Sequence, residues 1–225
     1  MLFTSRTWRQ VTSELPDGPA KRYVVDPPPG LKTPVAEIPL LATDLETTGL
    51  DPNRDQILSI GFVPINGLEI DLSGAGHVLV RPDREVGDSA TVHGITDDAL
   101  AAAVTPAEAL DLFFTAAHGR ILLAHHAAIE VRFLGNACQQ IHGFRPRFPV
   151  VDTMALQFKL LSQGFDDEPP AGSLRLNAAR SQYGLPRYAA HNALTDALAC
   201  AELYLAQVAE LATLGTRTLK PLLKY

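Results

Sequence analysis

Cysteine is scarce in this chain, with Cys138 and Cys200 the only two in 225 residues. Both fall in helix-like segments without metal-ligand spacing. A disulfide framework and a thiolate zinc site are therefore excluded, leaving two reduced core thiols of the kind expected in a cytoplasmic protein. Long apolar runs are also missing. No stretch approaches the ~18 residues that a membrane span requires, so no membrane partner is expected. The opening MLFTSRTWRQ is too polar for the apolar core of a signal peptide. No internal repeat is visible. Net positive charge is lacking as well, the formal charge being −6. That value would speak against a polyanionic partner if the charge were evenly spread, and it is not. Residues 1–35 carry five Lys/Arg against three Asp/Glu, and residues 211–225 carry three Lys/Arg and no acid. The acidic excess therefore lies in the middle, where carboxylates masked by bound cations could still face a phosphate backbone.

What is present is an ordinary globular composition, 46% hydrophobic and 20% charged, and enough chain for one sizeable core plus an extension. Residues 1–38 read as an extension whose exit, DPPPGLKTP, cannot be regular helix or central strand. Its single tryptophan, Trp8, points to an arm lying over the main domain. The domain itself is expected over 39–213, followed by a short basic tail at 214–225. IPLLATDL, QILSIGFVPI and GHVLVRP read as three strands in succession. Two helical segments follow, one opened by Thr96 and the other by Pro106. RILLAH is a fourth strand leading into the helix AIEVRFLGNACQQIHG, and PVVDTMALQFKLL is a fifth strand running into another helix. SLRLNAARSQYG and HNALTDALACAELYLAQVAELATL complete the pattern as helices. Three strands followed by alternating helix and strand predict an α/β domain with a five-stranded mixed sheet flanked by helices.

The chemistry begins at LATDLETTGL. If the first strand continues, Asp44 and Glu46 share one face, because side chains at i and i+2 do. Two carboxylates held that close need a shared proton or a cation between them. A hard divalent ion needs further oxygen ligands, and two segments offer them: Glu130 in AHHAAIEVRFL and Asp196 in HNALTDALACAEL. Taken singly, Glu130 and Asp196 are as easily solvated helix carboxylates. His191 lies five residues before Asp196, about 140° away on a regular helix, so the two would not share a face. On a loop preceding the first turn, however, His191 can fold back toward that carboxylate. An apolar strand ending in two acids has no structural need for either.

Together these motifs resemble the DEDDh family of 3′–5′ exonucleases, which includes the epsilon proofreading subunits of bacterial DNA polymerase III and stand-alone relatives. The resemblance rests on DLETTGL, VHGIT at 92–96, HHAA before Glu130, the pair Asp152 and Thr153, and HNALTDA. It spans roughly 38–208 and implies an RNase H-like fold. The departure is in the second motif, where the family shows Asn-x-x-Phe-Asp and this chain has His126, Ile129 and Glu130. Glutamate keeps the charge and adds one methylene, while His126 replaces a neutral amide with a titratable ring. His125 agrees with the family.

The resemblance implies two divalent ions, Mg²⁺ or Mn²⁺, held by Asp44, Glu46, Glu130 and Asp196, with His191 as the base that takes a proton from the attacking water. It also implies that Thr47, Thr48, Gly49 and Leu50, with His93, His125 and His126, lie against the terminal nucleotide. The expected partner is nucleic acid, DNA 3′ ends first and RNA as the alternative, with nucleoside 5′-monophosphates as products. A second alternative is an exonuclease-like module that binds nucleic acid or protein without turnover. A zinc hydrolase built on His125, His126 and His191 finds no HExxH-type spacing. The tail GTRTLKPLLKY is short, which favours a stand-alone enzyme over one tethered to a polymerase.

Overall fold

The computed structural model describes residues 15–26, 28–83, 94–162 and 168–224. The Trp8 arm and His93 lie outside the described residues. The sheet has seven strands among them. At its centre is β1 (Pro39–Thr47). On one side β1 pairs antiparallel with β2 (Ile57–Asn66), which in turn pairs antiparallel with β3 (Glu69–Ile70) and β4 (Gly76–Leu79). On the other side β1 runs parallel to β5 (Ile121–Ala124) and β5 to β6 (Val150–Asp152). The edge strand β7 (Leu223–Lys224) returns antiparallel to β6.

The mixed sheet is thus as expected, and its five longer strands are those read from the sequence. The count of five is corrected by β3 and β7, two-residue strands too short to show an alternating pattern.

The pleat of β1 sorts its residues between two cores. Leu41 and Leu45 face the first, where α3 (Pro106–Ala117) contributes Phe113 and Phe114 and α4 (Ala128–His142) contributes Phe133 and Leu134. Leu40 and Ala42 face the second, built by α5 (Thr153–Ser162) and the long α7 (Ala193–Thr213), with Cys200, Ala201 and Tyr204 at its centre. Two shorter helices complete the set, α2 (Asp97–Ala101) between β4 and α3, and α6 (Leu176–Gln182) between α5 and α7. Because side chains alternate, Asp44 and Glu46 follow Leu40 and Ala42 onto the α7 face. No helix among the described residues is long and apolar enough to cross a membrane.

Helix starts obey local chemistry. Thr105 and Glu108 close a capping box around α3, behind Pro106. Asn192 caps α7 by accepting from the Thr195 N–H.

The segments before and after the expected domain are built into the fold. In the extension, α1 (Pro19–Val25) lays Tyr23 against Phe114 and Phe148, with ring centroids 5.3 and 5.6 Å apart. Residues 31–35 pair with 217–220 through three backbone hydrogen bonds of 3.0 Å. Leu219 and Leu222 are buried in the second core. The Pro-rich exit and the basic tail therefore hold each other against the sheet.

Candidate active site

The site forms where the C-terminal end of β1 meets the N-terminus of α7. Asp44 lies opposite Gly61 of β2, and Glu46 opposite Ser59. A Cβ on Gly61 would stand 2.1 Å from the carbonyl carbon of Ala193, a distance no side chain tolerates. Glycine here lets the first turn of α7 lie directly on the sheet beside Asp44. Asp196, in that first turn, thereby reaches the β1 acids. One carboxylate oxygen from each of Asp44, Glu46 and Asp196 lies within 4.8 Å of the others. A shift of register between Glu46 and Thr47 then ends the regular pairing.

Burying three acids has a cost that registers on each. Burial, then the charges of Glu130, Asp196 and Glu46, push the Asp44 carboxyl well above the ordinary aspartate range. Glu46 is raised to about 7, by burial first and by Asp196 second. Burial also raises Asp196, against the opposing pull of the His191 N–H and ring. Acids that are buried beside one another resist ionising, and a divalent cation is what lets them ionise together. The donor set, carboxylate oxygens without thiolates, suits Mg²⁺ or Mn²⁺.

His191 stands immediately before the cap of α7, on the loop rather than the helix, so the 140° mismatch of a regular helix does not arise. Its backbone is left-handed, φ 69°, and its N–H donates to Asp196 Oδ2 at 2.7 Å. The ring is exposed. Glu130 comes from a different element, the first turn of α4, and is buried at 4% exposure. It falls outside the trio, yet its charge acts on both Asp44 and the Cys200 thiol beneath them.

The model of the exonuclease family matches residues 41–204. The chain belongs to the exonuclease family. It is 34% identical over 172 residues to the DNA polymerase III epsilon subunit of Treponema pallidum, covering 75% of each chain. It is 32% identical over 182 residues to the PolC-type DNA polymerase III of Thermotoga maritima. There the match takes in 80% of this chain and only 13% of the polymerase. Among solved structures, the nuclease domain of 3′hExo, a DEDDh family member bound to rAMP, shares the fold with TM-score 0.64 at 17% identity, over 77% of this chain and 93% of that one. Exonuclease I of E. coli in complex with a dA16 oligonucleotide gives 0.69 at 16% identity, over 79% and 42%. Mixed sheet and flanking helices are thus those of RNase H-like exonucleases.

The remaining predicted residues of this exonuclease domain divide into inward and outward groups. His125 points inward, its Nδ1 bonded to Thr153 Oγ1 and its Nε2 to Leu174 O, both at 2.8 Å. Burial holds its pKa down to about 4, so the ring is neutral and ties β5 to the 168–175 loop. His126 points outward and is exposed, with φ 71°. Thr47, Thr48 and Gly49 belong to a knotted turn. Thr47 Oγ1 donates to Gly49 O at 2.6 Å, and Thr48 Oγ1 to Asp55 Oδ1 at 3.2 Å. Leu50, 80% exposed, projects from this turn.

One residue acquires a role that its motif did not reveal. Asp152, at the end of β6, is 1% exposed. It accepts from the N–H groups of His126 and Ala127 before α4, and of Met154 and Ala155 at the start of α5. Helix N-termini leave such donors unsatisfied, and α4 has no side-chain cap of its own. Asp152 serves both helices and so fixes the turn that delivers Glu130. The only sequence signal was an acid directly before a helix-starting threonine.

Proposed function

We propose that this chain is a divalent-metal-dependent 3′–5′ exonuclease that hydrolyses the terminal phosphodiester of a nucleic acid, DNA first, and releases a nucleoside 5′-monophosphate. The observation that carries the reading is the convergence of Asp44, Glu46 and Asp196 within 4.8 Å, inside a segment matched by the exonuclease family over 41–204. DNA is favoured because the relatives by sequence named above are a DNA polymerase III epsilon subunit and a PolC-type DNA polymerase III.

In this reading Asp44, Glu46 and Asp196 would hold one ion, and Asp44 with Glu130 would hold a second. Such ions, when bound, activate water and neutralise charge on the scissile phosphate and the leaving 3′ oxygen. The chain supplies the rest. His191, on its loop beside Asp196, takes the proton of the attacking water. Leu50 and the turn from Thr47 to Gly49 bear on the terminal nucleotide, and His126 and His93 contact the substrate. His125, with both ring nitrogens already bonded, positions the floor of the site.

The test is incubation of 5′-labelled and 3′-labelled DNA and RNA oligomers with the protein and Mn²⁺. A 3′ label should leave as mononucleotide from the first time point, while a 5′ label marks a shortening ladder. His191→Ala should lower the rate by ~10²–10⁴, the contribution of a positioned proton acceptor. Equal background in both proteins would mean a binding module without turnover, and cleavage of RNA alone would reassign the substrate.

A further inference from the structure

Arg180 of α6 is almost fully buried, at 1% exposure, and stands apart from the acid cluster. A guanidinium in that position persists only with its charge matched and most of its donors bonded, and of its nitrogens Nε alone is buried without a hydrogen-bond partner. Its Nη1 donates to Ala199 O at 2.6 Å, and its Nη2 to Pro186 O at 2.8 Å and Glu202 Oε2 at 2.7 Å. The Tyr188 ring lies against it, 4.7 Å from guanidinium carbon to centroid. The Tyr188 hydroxyl donates to Glu202 Oε1 at 2.9 Å. One buried cation thus joins α6, the second and third turns of α7, and the connection 185–190 between them.

That connection ends at His191. A left-handed backbone at a residue bearing a Cβ is costly and survives only where its surroundings impose it. Beyond Tyr188 only Ala189 and Ala190 intervene, both exposed and without polar side chains. The hold on His191 therefore comes from two ends, the Asp196 carboxylate on one side and the Arg180 cluster on the other.

We propose that Arg180, Glu202 and Tyr188 are positioning residues that clamp the 185–190 connection onto α7 and so keep the His191 ring at the acid cluster, an inference that rests on the exonuclease reading. A loosened clamp leaves the metal-binding carboxylates in place while the proton acceptor drifts. Misplacing a reacting group by ~1 Å costs on the order of 10²-fold in rate.

Tyr188→Phe removes one hydroxyl from a partly exposed ring and spares the buried cation, so the fold is retained. Arg180→Lys keeps a charge for Glu202 but lacks the fork that spans three acceptors. Each is compared with the parent in a Mn²⁺-dependent assay on 3′-labelled oligomer, alone and combined with His191→Ala, with Mn²⁺ binding followed by calorimetry. The expected result is a kcat lowered about tenfold or more, KM and Mn²⁺ affinity within twofold, and no further loss in the His191→Ala background. The imidazole C–H resonances of His191, identified by their loss in His191→Ala, should shift and sharpen in both clamp variants. Equal losses with and without His191, or unmoved resonances, overturn the clamp. A parent chain without turnover on any oligomer sinks the exonuclease reading instead, while the resonances still decide the clamp.

Discussion

Two regions supply the acids of this site, and they are built differently. Asp44, Glu46 and Asp196 come from β1 and α7, two elements in direct contact through Gly61, and their oxygens lie within 4.8 Å of one another. Glu130 comes from the β5–α4 turn and stays outside that trio, although its charge reaches Asp44. The first region keeps the family's motif letters, and the second replaces them with His126 and Glu130. Tight geometry thus coincides with motif agreement, and the looser partner sits where the motif departs. The β1–α7 side should therefore bind a cation on its own, with the β5–α4 side modulating what that cation does.

The largest expected effect tests that division. Asp44→Asn removes the carboxylate at the centre of all four acids and should lower turnover about a thousandfold, the upper scale for one electrostatic stabiliser. Glu130→Gln should cost ~10–100-fold, less than Asp44→Asn because only the second ion depends on it, and leave the tighter Mn²⁺ binding constant within threefold. Calorimetry and single-turnover rates on the two variants decide the matter. Equal losses of rate and metal affinity would erase the distinction between the regions.

Proton linkage gives the next effect, and it acts on the β1–α7 side. In the folded chain Glu46 keeps its proton to about 7, against an ordinary glutamate value of 4.5. Between these values the folded state binds more protons than the unfolded one. The contribution of Glu46 to the stability of the metal-free protein therefore falls as pH rises from about 5 to 7, and the loss is complete above 7. For this one group the change is on the order of 3 kcal/mol, or roughly 10 °C in Tm for a chain of this size. In chelator at pH 5, 6, 7 and 8 the Tm of the parent relative to that of Glu46→Gln should decline in that order, and Mn²⁺ at pH 8 should restore the parent. The comparison cancels the opposing rise from His125, whose pKa burial holds down to about 4. A difference that rises across this window would mean that Glu46 is not held protonated as described.

Much of the β1–α7 side was legible in the sequence because its logic is local. The apolar run 38–42 reads as a strand, and its i, i+2 rule puts Asp44 and Glu46 on one face. His191 and Asp196 looked mismatched on one helix until the Asn192 cap, itself readable from Asn-x-x-Thr, moved His191 onto a loop. The β5–α4 side was less legible because its organiser is distant. Asp152 accepts from donors 25 and 26 residues earlier in the chain as well as from its own helix, and no short pattern encodes that. Gly61 read as one more residue of an apolar strand, and only the packed α7 shows why a side chain is forbidden there. The pairing of 31–35 with 217–220 and the strand β7 likewise escaped, since two or three residues carry no period and their partner lies nearly the whole chain away.

Asp152→Asn gauges the β5–α4 side directly. Asparagine has one acceptor oxygen where four N–H groups converge, and it introduces two amide donors into a buried pocket that already supplies donors. Hydrogen bonds to a charged group are worth about 1.5–3 kcal/mol each and are partly shared here, so a loss of roughly 2–3 kcal/mol in denaturant unfolding is expected. An effect below ~0.5 kcal/mol would show that α4 and α5 hold the turn unaided.

The smallest effect concerns His126, and its sign is informative. At φ 71° the residue occupies the left-handed region, which asparagine tolerates better than most side chains because its short amide bonds locally. The ring is exposed, so little packing is lost on replacement, and the Asp152 bond to the backbone N–H does not depend on the side chain. His126→Asn should therefore stabilise the protein slightly, by ~0.5–1 kcal/mol. Chain stability alone would then favour asparagine at this position, and retention of histidine would have to be explained by what the outward ring touches. A rise in stability accompanied by a raised KM for the oligomer would assign that ring to the substrate side of the turn; a rise in stability with unchanged KM and kcat would leave His126 without a part in binding.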